Sequence, residues 1–170
     1  MACDPATIQK IYSYATRYGI DPNVALAQIR QESGCRPAVC SSAGACGIAQ
    51  FLPGTWSQYG SGSRTDVDAS LTAWGLYMQH LLSIFGGDYR LALAGYHSGE
   101  GAARAALANP AGNPKTNNYV NSILGATGNP TTATPGSEPG QLDLSSIFSG
   151  DDNTILYVVA GALILLLITR

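Results

Sequence analysis

The chain has 170 residues, 45% of them apolar, which is enough for one modest domain with a real core and some additional segments. Lys and Arg number 9 against 11 Asp and Glu, and no basic cluster occurs. Nucleic acid is therefore not an expected partner, and the acidity is too slight for an acidic tail.

The opening "MACDPATIQKIYSYATRYG" lacks a basic stretch followed by an apolar run, so it is not read as a signal peptide. It predicts a helix: Asp4 caps, Pro5 suits the first turn, and Ile8, Ile11, Tyr12 and Ala15 share a face. "GIDPNVALAQIRQESG" repeats this grammar, with Asp21 as cap, Pro22 in the first turn and Gly34 past the end. "CRPAVCSSAGACGIAQFLPGTW" lacks periodicity and is rich in small residues, so a loop is expected, with room for a small hairpin. "DVDASLTAWGLYMQHLLSIFGG" is the strongest helix, because Leu71, Trp74, Met78, Leu81, Leu82 and Phe85 recur at three- and four-residue steps before Gly86-Gly87. "DYRLALAGYHSGEGAARAALANP" reads as two short helices broken near Ser98-Gly99. "KTNNYVNSILG" is a last helix with Tyr119, Val120, Ile123 and Leu124 inward. No segment sustains a period of two, so the class is mainly α.

Residues 1–126 therefore form the predicted folded domain. Residues 127–153, Gly-, Pro-, Thr- and Ser-rich, read as a flexible linker, and 154–170 as a C-terminal anchor. Ile155 to Ile168 is 14 residues without a charge. As a helix it would be about 21 Å long, short of the roughly 30 Å hydrocarbon layer. Thr154, Thr169 and a snorkelling Arg170 extend its reach, and a bilayer can thin locally. A single transmembrane helix is the expectation; a helix buried in a protein assembly is the other reading. Asp151 and Asp152 before the run and Arg170 after it favour a C-terminus on the cytoplasmic or particle-interior side.

Cys3, Cys35, Cys40 and Cys46 leave three chemistries open. In an oxidising compartment two disulfides would staple the loop, in any of three connectivities. The spacing of four residues and then five matches no common zinc pattern and neither His lies nearby, so a metal site is not expected. Free buried thiols are the third state.

Glu32 is the anomaly. It lies three residues after Ile29 and shares the face of Ala25, Leu26 and Ile29, the side meant for the core. A helix C-terminus and partial burial both raise an acid's pKa. An acid still protonated near neutral pH is what glycosidic cleavage requires, because the leaving oxygen must receive a proton.

Three blocks carry a resemblance. Glu32-Ser33, Pro37, Ser41, Gly44-Ala45, Gly47-Ile48, Gln50, Pro53 and Thr55 form the first; Ala94, Tyr96, Gly99 and Gly101 the second; and "TNNYV" the third. Over about residues 5 to 125 the chain resembles soluble lytic transglycosylases, which have a lysozyme-like α+β fold. The resemblance implies cleavage of the β-1,4 bond between N-acetylmuramic acid and N-acetylglucosamine in peptidoglycan strands, with a 1,6-anhydro product and no cofactor. It makes Glu32 acid and then base, Ser41 the residue that polarises the substrate's 2-acetamido group, and Tyr96 a support for Glu32 or that group. Gln50 would line the sugar subsites and Tyr119 would close the groove. The chain departs from the family at Ala49, where Met is frequent, at His97, where Asn is usual and a structural role is expected, and at Lys115, where an acid is common. Asp66 and Asp68 read as caps of the long helix and Glu100 as a helix-start charge, so none is expected as a catalytic partner.

A wall-cutting domain with disulfide-ready cysteines, no export signal and an anchor points to a virion membrane or entry device that meets the host periplasm and wall from outside. The alternatives are a cellular wall-remodelling protein of a secretion or conjugation apparatus, a hydrolytic lysozyme-type muramidase, and an inactive lysozyme-like virion protein.

Overall fold

The computed structural model describes residues 3–128 and, further on, the backbone of Val158–Val159 and Ala162–Leu163. The chain divides into two compact units, 1–139 and 140–170.

The first unit holds seven described helices: α1 (Pro5–Arg17), α2 (Pro22–Ser33), α3 (Pro53–Tyr59), α4 (Val67–Ile84), α5 (Tyr89–Ser98), α6 (Glu100–Ala108) and α7 (Pro114–Ala126). Aspartates stand before four of them: Asp4, Asp21 and Asp66 cap as read, and Asp88, which was not singled out, caps α5 in the same way. The Asp4 carboxylate accepts from the Thr7 amide, that of Asp21 from Asn23 and Val24, that of Asp66 from Ala69 and that of Asp88 from Leu91. Each satisfies amides that the first helical turn leaves without partners. Asp68, expected as a second cap, instead joins α4 to α1: its carboxylate takes Lys10 Nζ at 2.6 Å and the Tyr14 hydroxyl at 3.1 Å.

The core is the meeting of the apolar faces the periodicity marks. Ile11 and Ala15 of α1, Val24, Ala25 and Ile29 of α2, and Leu71, Trp74, Met78 and Leu81 of α4 are fully buried, with Ala92 and Leu93 of α5 and Val120 of α7. α4 packs on α1, α3 and α5; α7 packs on α2, α5 and α6. The break between α5 and α6 falls at Gly99, whose φ of 87° is one an L-residue rarely adopts.

The segment between α2 and α4 is not all loop. Cys40 and Cys46 form an isolated antiparallel bridge, as do Cys46 and Phe51, which makes the small expected hairpin. From Pro53 the chain is helical, contrary to the expected loop. Pro53 pre-sets the first turn and the Trp56 ring packs edge-on against Phe51 at 5.6 Å, so one anchored aromatic suffices where no periodic face exists. The cysteines settle as Cys3–Cys35, which ties the entry of α1 to the exit of α2, and Cys40–Cys46, which closes the hairpin.

In the second unit, Val158 lies opposite Leu163 and Val159 opposite Ala162 in a two-stranded antiparallel ladder, β1 (Val158–Val159) and β2 (Ala162–Leu163). The helix expected over 154–170 lies outside the described residues except at these four, which are extended. β-Branched Val158 and Val159 favour that conformation. Among the described residues no helix is long and apolar enough to cross a membrane.

Candidate active site

Glu32 lies in the last turn of α2, whose geometry is fixed at both ends. Asp21 and Pro22 start the helix; Gly34, at φ 62°, ends it and returns its amide to the Arg30 carbonyl at 2.9 Å. The neighbouring Ser33 points the other way, into the protein. Its hydroxyl donates to the Ile48 carbonyl at 2.7 Å and accepts the Arg36 amide at 3.2 Å. The hairpin is thus bolted to the end of α2 beside the carboxylate.

The carboxyl group of Glu32 is partly buried. Burial raises its pKa from 4.5 to about 7, against a hydrogen bond from Tyr119 that pulls it down. Tyr119, on α7, donates its hydroxyl to Glu32 Oε1 at 2.5 Å. The ring expected to close the groove is itself buried. The Tyr119 oxygen accepts from Gln28 Nε2 at 3.1 Å, and Gln28 Oε1 accepts from the Trp74 indole N–H at 3.0 Å. His97 lies against the Tyr119 ring, with centroids 4.7 Å apart, and its Nδ1 meets Thr116 Oγ1 at 3.1 Å. Desolvation of its packed side and the charge of Lys115 hold the imidazole pKa below its usual value, which suits the structural role expected for it.

Tyr96, on α5, donates its hydroxyl to the Ala49 carbonyl at 2.7 Å. Its only proton is committed there, so between the two tyrosines it is Tyr119 that holds Glu32 by a hydrogen bond. Burial and the nearby Glu32 carboxylate hold the Tyr96 pKa well above its usual value, which keeps the phenol neutral. Gln50, at φ 52°, spends both amide protons on the loop: Nε2 donates to the Val39 carbonyl at 3.1 Å and the Gly47 carbonyl at 2.9 Å. Only its oxygen remains to face a sugar, as an acceptor. Ser41 is exposed in the hairpin, where its Oγ accepts the Ala45 amide at 3.1 Å and no described residue takes its proton.

Two residues that hold this wall were not singled out from the sequence. Arg64 donates through Nη1 to the Gly44 carbonyl at 2.7 Å and to that of Phe51 at 2.9 Å, which clamps the hairpin from outside. Gln28 is fully buried on the same helix face as Glu32, one turn earlier. A polar side chain on an apolar face was the signal for Glu32, and it was available for Gln28 as well. Asp66, Asp68 and Glu100 do not join the site: the first two serve α4 and α1, and Glu100 pairs with His80 Nε2 at 3.1 Å. Among the described residues no cluster of His, Cys, Asp or Glu is arranged to hold a metal ion.

A helical shell with one half-hidden carboxyl group beside a short cross-linked hairpin defines a lysozyme-like fold. The chain belongs to the transglycosylase SLT domain family, which matches residues 9–119. It is 32% identical over 122 residues to the soluble lytic murein transglycosylase of Salmonella typhimurium, a match of 64% of this chain and 19% of that protein. It is 24% identical over 160 residues to the transglycosylase of Enterobacteria phage PRD1, covering 91% of this chain and 60% of the phage protein. The crystal structure of the 70 kDa soluble lytic transglycosylase of Escherichia coli superposes with a TM-score of 0.59 at 26% identity, over 71% of this chain and 23% of that one. The chain thus spans about a fifth of the first of these relatives.

Proposed function

We propose that the chain is a lytic transglycosylase that cleaves the β-1,4 bond between N-acetylmuramic acid and N-acetylglucosamine in peptidoglycan. The observation that carries this reading is Glu32: an acid with its pKa raised to about 7 by burial, held by one phenol, with no second carboxylate contributing to its shift. A group that is half neutral near pH 7 is matched both to giving a proton and to taking one. The family membership and the soluble lytic relatives support the same substrate.

Glu32 donates its proton to the glycosidic oxygen as the bond from the muramic acid C1 breaks. The substrate's own 2-acetamido oxygen bonds to C1 and carries the positive charge, with Ser41, exposed in the hairpin, as the residue that orients and polarises that acetamido group. The Glu32 carboxylate then takes the proton of the C6 hydroxyl, whose oxygen displaces the acetamido oxygen and closes the 1,6-anhydro ring. Proton and charge balance, water is not consumed, and one carboxylate serves both steps, unlike the two-carboxylate scheme of hydrolases. Glu32→Gln tests the assignment: it removes the proton while keeping the acceptor for Tyr119, and clearing of purified wall should fall to background. Unchanged clearing would remove Glu32 from the mechanism.

We further propose that the domain works from a particle that carries it to the host wall, tethered through 127–153, with Ile155–Ile168 seated in a membrane. The phage PRD1 transglycosylase, matched over most of this chain, supports the setting. In lipid the apolar run would become helical, because a short ladder leaves backbone groups unsatisfied there. Detection of the protein in purified, wall-free particles is the expected result. Its absence from them, with recovery in a cellular membrane fraction, would favour a secretion or conjugation apparatus.

A further inference from the structure

A buried row of hydrogen bonds leads away from the acid. It runs from the Trp74 indole to Gln28 Oε1, from Gln28 Nε2 to the Tyr119 oxygen, and from the Tyr119 hydroxyl to Glu32 Oε1. Trp74 and Gln28 are fully buried, and Tyr119 nearly so.

The direction of this row is forced. An indole N–H can only donate. Gln28 must therefore turn its oxygen to Trp74 and its NH2 to Tyr119, because the flipped amide would set donor against donor. The Tyr119 oxygen then receives a proton from Gln28, and its own single proton goes forward to Glu32. A neutral carboxyl group accepts best at its carbonyl oxygen. With Oε1 occupied as acceptor, the neutral acid carries its proton on Oε2.

We infer that Gln28 and Trp74 are positioning residues of the proposed transglycosylase: they fix Tyr119 as a permanent donor to Glu32 Oε1 and thereby set which oxygen of the acid carries the transferable proton. The inference rests on Glu32 as the acid. The three participants come from α2, α4 and α7, so the arrangement exists only in the folded chain. If Trp74 is replaced by a ring without N–H, the Gln28 amide is free to flip and draw the Tyr119 proton to itself. The titratable groups that face Glu32 among the described residues are Tyr119 of α7 and Tyr96 of α5, with His97 behind the Tyr119 ring. Tyr96 gives its proton to Ala49, so it cannot take over the task.

The test is an NMR titration of the 13C-labelled Glu32 carboxyl group in the full chain, which needs no substrate and stays valid whatever product the enzyme makes. Tyr119→Phe should raise the midpoint by about one pH unit or more, since a hydrogen bond that favours the carboxylate is lost. Gln28→Met and Trp74→Phe should each raise it by roughly half as much, and the basic limb of wall clearing should move with them. Added to Tyr119→Phe, neither should shift the midpoint again, because both act only through that hydroxyl. A packing role alone would lower the melting temperature and leave the midpoint in place, which would overturn the inference, as would additive shifts. The unaltered protein gives a second reading should the variants not fold. The Trp74 indole 1H–15N signal is expected to move with the Glu32 midpoint as the row repolarises, and an indole signal that ignores this titration also overturns the inference.

Discussion

Replacing Glu32 by Gln should make the protein more stable at alkaline pH while abolishing its proposed chemistry. The carboxyl group moves from 4.5 to about 7 on folding, because burial penalises its charged form more than Tyr119 favours it. The folded chain therefore binds more protons than the unfolded chain between these values, and stability falls as pH rises through this window. At roughly 1.4 kcal/mol for each pH unit of separation, the loss is complete above about pH 7 and amounts to about 3 kcal/mol. The amide introduced by Glu32→Gln has no charge to desolvate and keeps an oxygen for Tyr119, so the variant escapes the loss. Urea unfolding of both proteins should give near-equal stabilities at pH 4 and a variant ahead by about 3 kcal/mol at pH 8. Other titrating groups cancel in this difference. A gap that does not change with pH would show that Glu32 ionises as freely in the fold as in the open chain, and the reasoning from burial would be refuted.

Replacing Cys3 and Cys35 together by Ser should cost about 3 to 4 kcal/mol, since the bridge closes a loop with a sequence separation of 32; calorimetry of oxidised protein against the variant reads it. Gly47→Ala should cost about 3 kcal/mol and loosen the hairpin, because Gly47 sits at φ 86° and an added Cβ would meet the Arg64 carbonyl oxygen; melting temperature and wall clearing should fall together. His97→Asn should keep activity within a few-fold in a turbidity assay, since an amide can also bond Thr116, whereas His97→Ala should lose more by leaving the Tyr119 ring without its neighbour.

The long helices were legible because each carries local information twice. In α1, α2 and α4 an aspartate stands before the first turn, and apolar residues return every three or four positions. The α5–α6 break was legible from Gly99 for a related reason, a backbone conformation that glycine alone adopts easily. α3 carries no such signal: it has seven residues and none is fully shielded from solvent. It exists because Phe51 and Trp56 meet, which is a tertiary fact. Glu32 was legible as a carboxylate on an apolar face. Its hydrogen-bond row was not, because Tyr119 and Trp74 come to Glu32 and Gln28 from other helices only when the chain is folded. The expected roles of Gln50 and Ser41 came from the family resemblance alone. In the fold both also hold the hairpin, Gln50 through its two amide protons and Ser41 through its hydroxyl oxygen. The cysteine pairing was undetermined for the same reason: Cys3 and Cys35 lie far apart in sequence and meet where α1 begins and α2 ends.

The most direct measurement is mass spectrometry of purified peptidoglycan digested by the unaltered protein in water enriched in 18O. Anhydro-muramic ends without incorporated 18O are the expected product, since the C6 oxygen of the sugar itself closes on C1. Reducing muramic ends that carry the heavy isotope would mean that water attacks instead, and the single-carboxylate mechanism centred on Glu32 would be wrong.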